Sequence, residues 1–387
     1  MTTLVRRAGF GLCAATAALT ALTFAGSARA DTMDPTPDRF VLQPKGLPGG
    51  FTCQSIAANP AAFTRANPGK VPNNFSCLPN NVAFQNLVSE LGFAIAPDAF
   101  HPARTTGFGG FNFSIEASYT KINPDATVPG VGGQPPVQYW HAGTQGSTNP
   151  NNGNSSNTNT SPDSILQVYS LKARKGLPFG FEITGDLSYV ANTVLWTAGA
   201  DIRWALMEGF RSGWPSYLPD VSVGGGVRSM TGTSKFTLTT VGIDAQISKP
   251  ITLADTSVLT PYVGYQRLYM FGDSSTVDLT PNTDPLKQCN PKTPPTPQKG
   301  GGFGDGQPIC QNIPGTTIPN NGDFNNDVVF GQVRTNRHRG IVGLNYRYEI
   351  LYLAGQFLVD LTPPNAENPG LSDSRQWTLS FEAGVYF

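Results

Sequence analysis

The stretch Trp377-Thr378-Leu379-Ser380-Phe381-Glu382-Ala383-Gly384-Val385-Tyr386-Phe387 decides the fold, because an apolar side chain falls on every second position. Trp377, Leu379, Phe381, Ala383, Val385 and Phe387 form one set; Gln376, Thr378, Ser380, Glu382 and Gly384 are polar or small. Successive side chains of a strand point to opposite faces, so this is a strand with one apolar and one polar face. An apolar face toward lipid and a polar face toward an enclosed interior is the dyad pattern of a membrane-barrel strand.

The pattern recurs upstream. Phe111, Phe113, Ile115, Ala117 and Tyr119 alternate with Asn112, Ser114, Glu116 and Ser118. Phe179, Phe181, Ile183, Leu187 and Tyr189 do so around Glu182, Thr184, Asp186 and Ser188, and Trp196, Ala198, Ala200, Ile202 and Trp204 around Thr197, Asp201 and Arg203. Weaker segments at 164–174, 220–230, 234–248, 257–271, 338–348 and 351–361 bring the total to about ten strands, with eight to twelve as the bracket. In 234–248 the phase slips between Leu238 and Val241, which predicts a bulge near Thr239 and Thr240.

Connection lengths agree with an up-and-down order. If the strand at Phe111 runs outward from the periplasm, both very long connections, 122–163 and 272–337, fall on the outer side. The short turns near Pro178 and Glu349 then fall on the periplasmic side, as in membrane barrels. Carried by terminal Phe387 and the alternation from Trp377 onward, residues 109–387 resemble the outer-membrane β-barrel superfamily of Gram-negative bacteria. That resemblance implies an all-β, transmembrane, antiparallel up-and-down barrel in the cell outer membrane. It also implies Trp377, Phe381 and Phe387 as the assembly signal read by the barrel-assembly machinery. The competing architecture is a secreted β-sandwich, which also alternates. Aromatics at strand ends, Tyr119, Trp204, Tyr348 and Trp377, favour interfacial girdles and hence the barrel.

Residues 1–30 read as a cleaved signal peptide: Arg6 and Arg7, an apolar stretch from Gly11 to Ala25, then Ser27-Ala28-Arg29-Ala30. With Cys13 in that segment, four cysteines remain, and an exported chain predicts the disulfides Cys53–Cys77 and Cys289–Cys310. Only 13% of residues are charged and the formal net charge is zero, which excludes a nucleic-acid partner. Residues 31–108 read as a periplasmic extension with a short amphipathic helix, in which Val82, Phe84, Leu87, Val88 and Leu91 follow Asn80 and Asn81 as N-caps. Its apolar face is expected to cover the barrel's periplasmic mouth, the Cys53–Cys77 loop or another protein. The Asn-, Gly- and Ser-rich stretch from Asn149 to Pro162 is expected to be disordered.

The inward phase predicts a lumen carrying Glu116, Glu182, Asp186, Asp201, Asp244, Asp360 and Glu382 against Lys172, Arg174, Arg203, Arg228 and Arg347. Charges across so narrow a barrel are expected to pair, Arg203 with Glu182 or Asp186, because an unpaired buried charge is costly. Three functions follow: a small-solute pore or transporter, a structural or surface-interaction barrel with a salt-bridged closed lumen, or an outer-membrane hydrolase. For the last, His338 between Arg337 and Arg339 is the best candidate, and its plain reading is a rim residue in a basic cluster. Asp323-Phe324-Asn325-Asn326-Asp327 lacks the Gly and distal Glu of a calcium loop. No catalytic set, metal or cofactor is therefore expected; the expected partners are outer-membrane lipid and the assembly machinery, around a monomer.

Overall fold

The computed structural model describes residues 32–42, 65–66, 68, 78–130, 135–146, 159–209, 218–254, 256–278, 327–362 and 375–387. Ten strands follow in chain order: β1 (Phe111–Lys121), β2 (Ile165–Gly176), β3 (Phe181–Val190), β4 (Trp196–Met207), β5 (Asp220–Thr231), β6 (Phe236–Ser248), β7 (Ser257–Ser274), β8 (Val333–Tyr348), β9 (Leu351–Asp360) and β10 (Trp377–Tyr386). Each pairs antiparallel with the next, and β10 returns to β1 from Thr378↔Thr120 to Tyr386↔Asn112. Pairing of the first strand with the last closes the sheet into a barrel, abolishes its edges, and removes the sandwich alternative. One further strand of this sheet, Ile251–Ala254, pairs only with β7 and lies outside the ring, and three two-stranded ribbons are separate from it among the described residues.

At one rim, called here the closing rim, Phe111 and Phe387 exchange backbone hydrogen bonds of 3.2 and 2.8 Å. The connections there are 177–180, 208–219, 249–256 and 349–350. The longer connections 122–164, 275–332 and 361–376 all leave the opposite, loop rim. Tight turns at the closing rim use left-handed backbone at Phe179 (φ 63°) and Glu349 (φ 51°).

Exterior positions are apolar and open: Ile115 is 60% exposed, Val342 57% and Leu353 63%. Interior positions are covered and many are polar: Arg174 is 2% exposed, Gln266 and Ser380 0%. A water-soluble domain distributes its residues the other way, so this wall is built to meet an apolar solvent. Inward glycines let large interior side chains lie flat against the wall; a Cβ on Gly343 would stand 2.1 Å from the Tyr262 ring of the neighbouring strand.

Three expectations are corrected. The β6 ladders run without interruption past Thr239 and Thr240, so there is no bulge; Leu238 points inward at 0% exposure because this part of the lumen is apolar. β8 begins at Val333 rather than at residue 338. The third concerns residues 31–108. Helix α1 (Asn81–Ile95) lies inside the barrel rather than beyond its mouth, and the segment before it packs at the loop rim, with Met33 N donating to Asn192 O (3.0 Å). Cys53, Cys77, Cys289, Cys310 and Asp323 lie outside the described residues, as do residues 149–158 of the stretch expected to be disordered. Asn159 of that stretch is buried at 3% exposure and donates to Thr144 Oγ1 (2.9 Å).

Candidate functional site: the filled lumen

The lumen is occupied along its length by the chain's own N-terminal segment. Asn80 caps α1, its Oδ1 accepting from Ala83 N at 3.0 Å, which satisfies one of the helix's orphan donors. Phe84, Leu87, Val88 and Leu91 are 0–2% exposed and pack with Phe236, Leu238, Val333 and Phe330. Phe84 stacks on Phe330 (4.8 Å between ring centroids) and meets Phe236 edge-on (5.8 Å). The loop-rim half of the lumen is thus a hydrophobic core with the helix at its centre. A second helix, α2 (Tyr139–Gly143), lids this core: Tyr139 and Trp140 both donate to the Glu90 carboxylate, Trp140 Nε1 at 2.7 Å. Ala94 and Ile95 end α1 at mid-barrel, and Ala96 leaves it in extended backbone.

From Ala96 to Arg104 the segment is held by the wall's polar side chains. Lys172 Nζ bonds both oxygens of Asp98 at 2.9 Å and also contacts Glu116. Gln356 and Gln246 donate to the carbonyls of Asp98 (2.8 Å) and Ala99 (2.7 Å). Arg174 donates to the Phe100 carbonyl (2.8 Å) and to both oxygens of Glu382 (2.8 and 2.9 Å). His101 faces Glu182 at 3.1 Å, Ala103 N donates to Ser248 Oγ (3.1 Å), and Thr105 is clasped by the Glu208 carboxylate. Thr106 N donates to Glu182 (2.8 Å) just before the turn into β1. Wall-to-wall pairs complete the network: Arg228 with Asp186 (3.1 Å) and Asp201 (2.8 Å), and Arg337 with Asp360.

Of the residues assigned to the lumen from sequence, the structure places Glu116, Lys172, Arg174, Glu182, Asp186, Asp201, Arg203, Arg228, Asp244, Asp360 and Glu382 on the interior face. Two assignments change. Arg203 stands across the ladder from Glu182 but turns to Asp244 (3.6 Å), Gln246 (3.2 Å) and the carbonyls of His101 and Pro102. The N-terminal segment lies over Glu182 and takes that carboxylate for His101 and Thr106. Arg347 is exposed at the closing rim, bonded to the Glu349 carbonyl (2.9 Å) and lying over the Tyr386 ring, because β8 runs past the lumen there. Phe381 and Phe387 stand on the exterior at 53% and 75% exposure, and Trp377 packs beside Phe357 (6.1 Å).

Sequence reasoning missed Glu90, Asp98, His101, Arg337 and Arg339. The first three belong to the inserted segment. The two arginines flank outward-facing His338 and therefore point inward, stacked over the Phe93 ring at 4.5 and 3.9 Å; Arg339 shares the inward phase of Arg347, and extending the β8 alternation upstream would have found Arg337. A cavity of about 20 Å³ beside Asp98, Glu116, Asp186 and Arg228 has room for about one water molecule. Among the described residues no cluster of His, Cys, Asp and Glu could hold a metal ion.

No protein family and no curated protein sequence matches the chain. Solved structures of similar architecture include Ail, the attachment invasion locus protein of Yersinia pestis, at 10% identity, covering 72% of this chain and 99% of that one, with a TM-score of 0.23. The translocator domain of the autotransporter NalP from Neisseria meningitidis is 9% identical, covers 79% and 96%, and scores 0.28. The outer membrane protein OprG from Pseudomonas aeruginosa is 9% identical, covers 73% and 99%, and scores 0.22. The present chain is therefore described from its own geometry as a closed ten-stranded antiparallel barrel filled by its N-terminal segment.

Proposed function

We propose that this chain is an outer-membrane barrel, exported through the signal at residues 1–30, that does not conduct solutes at rest and acts at the cell surface through its loop rim. One observation carries the reading: residues 80–106 run from rim to rim inside the lumen, buried in an apolar core above and tied to wall charges below. Breaking any one buried ion pair costs about 3–5 kcal/mol, so thermal motion does not clear such a path. The apolar exterior supports the membrane placement. The connections 122–164 and 275–332, on the same rim as α2 and Met33, supply the surface for interaction. A small-solute pore would need the whole segment displaced, since the cavity beside Asp98 admits only water.

Swelling of proteoliposomes in an isosmotic pentose solution tests this. Full-length protein, its insertion verified by heat-modifiable gel migration, should swell no faster than protein-free vesicles. Steady swelling by the inserted protein would overturn the closed barrel and restore the pore.

A further inference from the structure

Outward-facing positions of the wall are apolar, small or uncharged except near strand ends: Lys121 is the last residue of β1 and Lys175 the next to last of β2. Strands β7 and β8 break the rule. Arg267 sits seven residues before the end of β7 at Ser274, between outward-facing Tyr265 and Tyr269. Across the ladder it stands opposite His338, while Arg334 stands opposite Phe271. Strand alternation thus splits the run Arg337-His338-Arg339: two arginines enter the lumen and the histidine joins an external cationic patch.

The depth of this patch is informative. Arg267 lies ten residues along β7 from Ser257 at the closing rim. At about 3.3 Å per residue and a strand tilt of about 40°, that is about 25 Å along the barrel axis. The apolar band of a membrane barrel is also about 25 Å tall, so Arg267 stands where acyl chains give way to headgroups on the loop-rim side. Arg334 lies further out, and Asp273, on the same face of β7, further still.

Among the described residues no carboxylate neutralises the two arginines. The Arg267 guanidinium lies over the Tyr269 ring at 5.3 Å, and its Nε is buried without a hydrogen-bond partner. Arg334 donates to Gln332 Oε1 (3.2 Å), and among the described residues neither arginine forms an ion pair with a carboxylate. The Tyr265 hydroxyl and His338 Nδ1 are hydrogen-bonded beside them. A cation facing the membrane is costly unless an anion meets it there, and the anion available at headgroup depth is phosphate. The planar guanidinium fork suits phosphate oxygens.

On the membrane placement proposed above, we infer that Arg267 and Arg334, with His338 and the Tyr265 hydroxyl beside them, bind the phosphate of a phosphorylated lipid headgroup in the surrounding leaflet. A phosphomonoester is the preferred form, because its charge is not offset by an amine on the same headgroup.

The test reconstitutes the full chain in phosphatidylcholine vesicles containing either diphosphorylated lipid A or the same lipid after phosphatase treatment. Lipid retained after gentle detergent extraction is counted by native mass spectrometry. The protein should retain the phosphorylated lipid in preference to the dephosphorylated one. Arg267→Gln combined with Arg334→Gln should lower that retention by about tenfold or more, the loss of at least one charge-assisted hydrogen bond. Lys175→Gln, at the other rim, should not lower it. Equal retention of the two lipids, or unchanged retention by the double variant, overturns the proposal. Insertion is scored in the same vesicles by protease protection. A chain that inserts but does not prefer the phosphorylated lipid defeats this proposal alone, whereas one left outside the bilayer defeats the membrane placement as well.

Discussion

Replacing Arg174 by methionine tests whether buried ion pairs hold the inserted segment in place. Arg174 is 2% exposed and binds both Glu382 oxygens at 2.8 and 2.9 Å and the Phe100 carbonyl at 2.8 Å, so one guanidinium joins β2, β10 and the segment. Methionine retains most of the volume, so the cost is electrostatic rather than that of a cavity. Glu382 keeps the Tyr352 hydroxyl but loses its counter-charge, and the Phe100 carbonyl loses its donor. Stranding one member of a buried pair costs about 3–5 kcal/mol. At about 2–4 °C per kcal/mol for a domain of this size, the unfolding midpoint should fall by about 6–20 °C. Unfolding in detergent micelles, followed by heat-modifiable migration and tryptophan fluorescence, gives the shift. Combining Arg174→Met with Glu382→Gln removes the stranded charge and should recover about half of the loss or more. The reasoning fails if the single change costs less than about 1 kcal/mol, or if the two changes simply add.

Phe84→Ala should cost about 3–5 kcal/mol, because the ring is fully buried between Phe330 and Phe236 and nothing can collapse into its place; a loss below about 1 kcal/mol by urea unfolding would show that α1 is not packed there. Replacement of Trp377, Phe381 and Phe387 by lysine should sharply lower the amount of folded barrel in the membrane fraction, since a lysine on the lipid face costs about 2–4 kcal/mol at the midplane and about 0–1 kcal/mol near the interfaces. Full recovery of the triple variant in that fraction would contradict the lipid-facing placement of β10.

The wall was legible because a strand has a period of two and a barrel gives its two faces different solvents. Ile183 and Glu182, or Phe381 and Glu382, could each be sided from sequence alone. The contents of the lumen were not legible, because nothing in Val82, Phe84, Leu87 and Leu91 states which surface their apolar face will meet. Its trace was the apparent slip at Leu238. That residue points inward like Phe236 and Met270, and reads as an error of phase only if the interior is taken to be polar throughout. Cross-strand register likewise placed Arg203 opposite Glu182, but could not reveal that His101 and Thr106 would reach that carboxylate from a segment remote in sequence. The external patch escaped because Arg337, His338 and Arg339 look like one basic cluster until strand geometry deals them to opposite faces.

Hydrogen exchange of the α1 amides tests the central claim most directly. A helix of 15 residues is marginal by itself in water, so its amides exchange slowly only if tertiary packing protects them. In full-length protein in micelles, the peptides covering Asn81–Ile95 should exchange as slowly as those of the barrel strands β6 and β8, against which the helix packs. If those amides instead exchange within seconds while the strands stay protected, the N-terminal segment does not fill the barrel, and the account of a closed lumen is wrong.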